Sequence, residues 1–261
     1  MGRFETTAQT YAARREPYPP AFFTAAANAL NLQGREALID LGAGPGVLAL
    51  GFAPYVGRVV GVDPEPAMAA EARRAAATAK VGLVVIEGRA EDLNADVGRF
   101  EVVTIGRALH WMEREATLAT FNRILAPGGR IVICGSRAAG AEVNPWRSVY
   151  DAALRSVGEA GVVDHRQVYQ HWFDGSRFTK IAEVKVSCRH NVTPEALVER
   201  ALTRSTTSPA VLGAEIEAFR ASLLEVLAPF FPDSVGVEII EATAAIFAAA
   251  EPRVEDRNRS R

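Results

Sequence analysis

Lysine is nearly missing from this chain of 261 residues: it stands at positions 80, 180 and 185, and the other 26 basic residues are arginine. Alanine is abundant, so the bias reads as genomic composition. A charge excess is lacking too. The 29 basic and 31 acidic side chains leave a net −2, which gives no electrostatic case for nucleic acid or an anionic membrane. Cysteine occurs at 134 and 188 alone, far apart in apolar stretches. That argues against a disulfide framework and suits reduced thiols in a cytosolic protein. No run approaches the roughly 20 apolar residues of a membrane span. The opening "MGRFETTAQT" lacks the apolar core of a signal peptide. No pair of His or Cys has zinc spacing, so no metal is expected. The expectation is a soluble cytoplasmic protein, monomeric or homodimeric, with no membrane or nucleic-acid partner.

An apolar fraction of 49% is enough for a proper core. Strand-like and helix-like stretches alternate from residue 36 to about 136. "EALIDL" (36–41), "RVVGVD" (58–63), "VGLVVIEG" (81–88), "RFEVVTIGRALHW" (99–111) and "RIVICGS" (130–136) read as strands. "VLALGFAPY", "PEPAMAAEARRAAATA" (64–79) and "EREATLATFNRILAPGG" (113–129) read as helices, the last ended by its Pro-Gly-Gly. Strands apolar on both faces and alternating with helices imply an α/β, doubly wound sheet with ligands at the strands' carboxyl ends. Beyond 140 the pattern loosens: helices near 144–158, 194–204 and 213–228, and a strand near 178–190. "GVEIIEATAAIFAAA" (236–250) suits a strand or a helix. The tail from 251 is charged and expected to fray.

"LIDLGAGPGVLAL" (38–50) runs a strand into glycines at 42, 44 and 46 and then into a helix. Bare main chain there lets a ligand touch backbone N–H groups at the positive end of a helix. Val47 stands where a dinucleotide fingerprint wants its third glycine, and the G-K-[ST] of a P-loop is absent. Asp63 ends the second strand, 21 residues past Gly42. Its carboxylate can accept hydrogen bonds from both ribose hydroxyls, or cap the helix that Pro64 begins.

"LIDLGAGPGVLAL", Asp63, "GRAEDL" (88–93), "FEVVTIGRALHW" (100–111) and "ILAPGGRIVI" (124–133) occur in the order and spacing of class I S-adenosylmethionine-dependent methyltransferases. The chain most resembles the small-molecule, methyltransferase type 11-like subgroup, down to the leading arm "YAARREPYP" (11–19). That resemblance implies a Rossmann-like methyltransferase fold with a mostly parallel seven-stranded sheet and helical lid elements. It implies an arm and helix over 1–35, a cofactor core over 36–136, acceptor-lid helices and last strands over 137–250, and a tail over 251–261. The implied cofactor is S-adenosyl-L-methionine, released as S-adenosyl-L-homocysteine.

By the same resemblance Gly42, Ala43, Gly44 and Gly46 wrap the cofactor's methionine, and Asp63 takes the ribose. Pro64 and Met68 lie near the adenine, and Ala90 and Glu91 border its edge. Relatives often carry an acidic residue where Arg89 stands, and a proline where Glu16 follows Arg15. Tyr11 and Arg15 match positions aimed at the cofactor's carboxylate and methyl region. Asp40 either holds the cofactor's ammonium or braces the loop. Arg107 pairs with a substrate carboxylate or stays solvated. His110, whose ordinary pKa of about 6.5 suits a base, contacts cofactor or acceptor, serves as the base, or caps the next helix. Trp111 walls the site or packs in the core. Tyr18 belongs to a lid or to packing. His165 and His171, in "HRQVYQHWF", reach the acceptor or sit on the surface. The expected reaction is methyl transfer to a small organic acceptor, at a carboxylate or hydroxyl oxygen. The rivals are an S-adenosylmethionine-binding protein without methyl transfer or with another reaction, and a nicotinamide-dependent oxidoreductase.

Overall fold

The computed structural model of the protein describes residues 14–157, 169, 171–204 and 206–250. Tyr11, His165 and the tail from 251 lie outside the described residues. Among the described residues seven strands form one sheet: β1 (Ala37–Leu41), β2 (Arg58–Asp63), β3 (Leu83–Glu87), β4 (Phe100–Gly106), β5 (Leu125–Ala138), β6 (Phe178–Val192) and β7 (Gly236–Ala249). Their order is β3-β2-β1-β4-β5-β7-β6. β1 to β5 pair in parallel, and β7 runs antiparallel to both β5 and β6.

Period-two side-chain alternation builds the core on both faces. Ile39, Val103 and Ile131 pack with Phe121 and Ile124 on one side. Their chain neighbours Leu38, Val102 and Val132 pack with Phe22, Leu48 and Phe52 on the other. A slip of one residue would exchange the two sets, so helices on both faces fix the register. Those helices are α1 (Pro20–Ala29), α2 (Val47–Phe52), α3 (Pro66–Ala79) and α4 (Arg114–Ile124). α3 has proline in its first turn and buries Met68, Ala69, Ala72 and Ala76 along one stripe. Lys80, left-handed at φ 56°, closes it.

Two expectations needed adjusting, and one open alternative is decided. The helix expected over 113–129 stops at Ile124. Leu125 turns extended and pairs with Phe100, and Pro127 biases Ala126 away from helix, so Pro-Gly-Gly runs in the start of β5. The fourth strand ends at Gly106, ahead of the 3₁₀ turn Leu109–Trp111. Residues 236–249 are a strand, because alternate side chains from Glu238 to Ile246 are buried between β5 and β6.

A second layer follows: α5 (Arg147–Ser156), α6 (Pro194–Ala201), α7 (Pro209–Leu212) and α8 (Ile216–Leu227). Trp146, Tyr150, Leu197, Leu223 and Leu227 form its own core. Two polar ties fasten it to β7. Arg200 meets the fully buried Glu238 through two bonds, of 2.8 and 2.6 Å. Asn144 accepts from the Ile239 N–H at 2.8 Å and donates to the Ile239 carbonyl at 2.9 Å.

The strand order places the site. After β3 the chain crosses back to lay β4 against the other side of β1. Loops leaving the carboxyl ends of β1 and β4 therefore diverge, and a crevice opens between them.

Candidate active site

The chain leaves β1 through Gly42 to Gly46 and enters α2. The N–H groups of Gly42 and Ala43 both donate to the Val62 carbonyl, at 2.9 and 3.0 Å, drawing the bend against the end of β2. Gly42 is left-handed at φ 68°, and a Cβ there would stand 2.3 Å from that of Ala108 in the loop after β4. Nothing but glycine lets the two loops meet. Gly44, at φ 55°, has nothing within 4 Å of where its Cβ would be, so it lends bare main chain to the crevice.

Asp63 braces that bend. Its Oδ2 accepts from the Gly44 N–H at 2.7 Å and its Oδ1 from the Glu65 N–H at 2.9 Å. The carboxylate thus fastens the turn into α3 and lines the crevice at once. Burial pushes its pKa up, against the opposing pull of those two N–H groups. Asp40, at the end of β1, is 1% exposed and accepts from the Thr104 hydroxyl at 2.8 Å. Burial raises its carboxyl to a pKa of about 7, outweighing the Thr104 bond, and the neighbouring Asp63 charge adds to the rise.

Around these groups lies a cleft of about 510 Å³, a size typical of small-ligand sites. Gly42, Ala43, Gly44 and Asp40 form its floor. Asp63, Pro64 and Met68 form one wall, and Ala90 with Glu91 a second. Arg107 and Trp111, from the loop after β4, and Tyr18, ahead of α1, form the remaining side. Glu91 is occupied: it accepts from Arg89 at 2.9 Å and from the Glu113 N–H at 2.9 Å. Partial burial would raise its pKa, but these donors hold it below the usual range. Arg107 takes a left-handed φ of 58° and donates to the carbonyls of Glu16, at 2.6 Å, and Ser136, at 3.1 Å. A strained non-glycine residue at a cleft edge is held there by its surroundings.

Four of the residues singled out from sequence do not line this cleft. Gly46 instead heads α2, at φ 84°. Arg15 donates to the Thr203 carbonyl at 2.9 Å. His110 turns its Nδ1 toward the Tyr169 hydroxyl, 3.5 Å away. His171 is 79% exposed and bonds Asp174 at 2.8 Å, because its neighbours Trp172 and Phe173 take the buried positions of that turn. Sequence reading passed over Val47, Leu48, Ala108 and Met112, which line the cleft. Apolar and flanking glycine or aromatic signals, they read as core. The rule that loops after strands face the ligand would have found the last two. Among the described residues no cluster of His, Cys, Asp or Glu is arranged to hold a metal, and no helix is long and apolar enough to cross a membrane.

The family model described as a methyltransferase domain matches residues 39–133. An uncharacterized methyltransferase of Mycobacterium tuberculosis is 29% identical over 212 residues, covering 79% of each chain. Among solved structures, a SAM-dependent methyltransferase from Thiobacillus denitrificans, in complex with S-adenosyl-L-homocysteine, shares the fold. It has a TM-score of 0.57 at 18% identity and covers 95% of this chain and 99% of that one. One from Geobacter sulfurreducens, also with S-adenosyl-L-homocysteine, gives a TM-score of 0.55 at 17% identity, covering 95% and 98%. The matched region runs from β1 into β5 and so contains the glycine bend, both strand-end carboxylates and the loop after β4. The domain match over residues 39–133, the methyltransferase relatives and the shared fold together support a class I S-adenosylmethionine-dependent methyltransferase.

Proposed function

We propose that this enzyme methylates a small organic acceptor at oxygen, and that the cleft over Gly44 holds the cofactor. One observation carries the placement: Asp63 presents a carboxylate to the cleft while pinning the uncovered main chain of Gly44 beside it. Two hydroxyl donors of a ribose suit that carboxylate, and an ammonium suits Asp40 at the floor. Met68 and Ala90 give an apolar wall for the adenine.

When bound, S-adenosylmethionine supplies a methyl carbon on a cationic sulfur, open to in-line attack by the acceptor oxygen. The chain's own contribution is placement and dryness. Holding the oxygen about 3 Å from the methyl converts an encounter into a positioned reaction. Tyr18 and Trp111 narrow the mouth and limit water, which favours a step that consumes charge. Arg107 puts a guanidinium at this end, while His110 stays out of the lining. Both features favour an acceptor that arrives already ionised, a carboxylate, over a hydroxyl that needs a base.

Isothermal calorimetry with S-adenosylhomocysteine tests the cofactor site. Saturable one-to-one binding is expected, and no heat from well-folded protein overturns the reading. Formation of S-adenosylhomocysteine against carboxylic acids, phenols and amines tests the acceptor. Turnover confined to amines would overturn transfer to oxygen.

A further inference from the structure

Residues 14–18 form a strap between the second layer and the cleft. On one side it meets α6 and the turn after it. Arg14 pairs with Glu199 at 2.8 Å, its carbonyl accepts from Arg200 Nε at 3.3 Å, and Arg15 donates to the Thr203 carbonyl at 2.9 Å. On the other side it meets the sheet's carboxyl edge. The Glu16 carbonyl accepts from Arg107 at 2.6 Å, and the Pro17 carbonyl from the Ser136 hydroxyl at 2.7 Å. The next residue, Tyr18, lines the cleft, with the Arg107 guanidinium 5.2 Å from its ring centre.

In the middle of this strap sits a charge. The Glu16 side chain is itself buried, at 7% exposure, with Oε1 3.9 Å from both Arg200 and Arg204. A buried carboxylate is costly unless opposite charges surround it. These charges come from a helix and turn some 185 residues away in sequence, so they compensate Glu16 only when the strap is seated. Arg200 is locked in turn by Glu238. Burial alone would raise the Glu16 pKa, yet Arg200, Arg204, Arg107 and Arg15 hold it at about 2, so the carboxylate stays ionised across the working range. Glu16 does not itself line the cleft.

We propose that Glu16 is a positioning residue: its carboxylate seats the strap between α6 and the loop after β4, and so holds Tyr18 and Arg107 over the bound nucleoside. The inference rests on the cleft being the cofactor site. A seated strap retains the ligand, so the charge should govern how fast the nucleoside leaves.

Glu16→Gln keeps the shape and removes the charge. The test is the dissociation rate of S-adenosylhomocysteine, followed by stopped-flow fluorescence, together with trypsin cleavage after Arg14 and Arg15 read by mass spectrometry. The expected result is about tenfold faster dissociation (~1.4 kcal/mol by the tenfold rule) and faster cleavage, with ligand slowing cleavage in the wild type. A purely structural role would lower the melting temperature and leave dissociation unchanged in the folded variant, which overturns the latch while the cofactor site stands. Wild-type protein that fails to bind S-adenosylhomocysteine overturns both. Should Glu16→Gln not fold, Ser136→Ala cuts the strap's tie at Pro17. It should speed dissociation about threefold (~0.65 kcal/mol on the same scale), and an unchanged rate overturns the latch.

Discussion

Asp63→Ala is expected to weaken S-adenosylhomocysteine binding at least a hundredfold, measured by calorimetry on protein whose circular dichroism is unchanged. The substitution removes the acceptor for the Gly44 and Glu65 N–H groups, at 2.7 and 2.9 Å, and the acceptor proposed for the ribose. Hydrogen bonds to a charged group contribute about 1.5–3 kcal/mol each, and about 1.4 kcal/mol is tenfold in affinity. Losing a ribose bond and loosening the bend that shapes the floor therefore gives at least two powers of ten. Asp63→Asn should be nearly as damaging, because its amide nitrogen would face one of two N–H donors. A 2′-deoxy analogue of the ligand separates the contributions. Wild-type protein should bind it more weakly, whereas Asp63→Ala should not distinguish the two ligands. If both proteins discriminate equally, Asp63 braces the bend and the sugar is held elsewhere.

What the sequence carried well was local. Branched apolar doublets such as Leu38–Ile39 and Val102–Val103 announce buried strands, because each residue of the pair serves an opposite face. The glycine spacing announced the bend, since Gly42 has no room for a Cβ and Gly44 opens on the cleft. Asp63 follows from the rule for strand ends. What stayed hidden depends on distant partners. Residues 236–250 show alanine at spacings a helix also accepts, and their place between β5 and β6 decides for a strand. His171 looked functional among polar aromatics, yet Asp174 three residues on holds it at the surface. Glu16 stood out as a departure from the expected proline, but its meaning needs Arg200 and Arg204, which no local pattern connects to it. The family match covers residues 39–133, whereas Tyr18, which lines the cleft from the strap, lies outside it.

The Asp40 carboxyl is expected to link stability to cofactor binding, and pH should expose the link. Its pKa is about 7 in the folded chain against the ordinary 3.8. Because the folded state holds the proton more tightly, rising pH costs stability between about pH 4 and 7 and nothing further beyond. At about 1.36 kcal/mol per pKa unit the difference is on the order of 4 kcal/mol. For a chain of this size that is roughly 10 °C in melting temperature. Asp40→Asn preserves an acceptor for Thr104, 2.8 Å away, without the charge. It should flatten this decline and melt higher than wild type at pH 8. Binding should move the other way. An ammonium beside Asp40 favours the ionised form, so wild-type protein should release a proton on binding S-adenosylhomocysteine at pH 6. Calorimetry in buffers of different ionisation enthalpy reads that proton, and affinity should climb as pH rises toward 7. Asp40→Asn should release none and bind about thirtyfold more weakly, or ~2 kcal/mol. Binding without proton release in the wild type would mean that Asp40 only braces the bend, and that the amino acid end of the ligand lies away from the cleft floor.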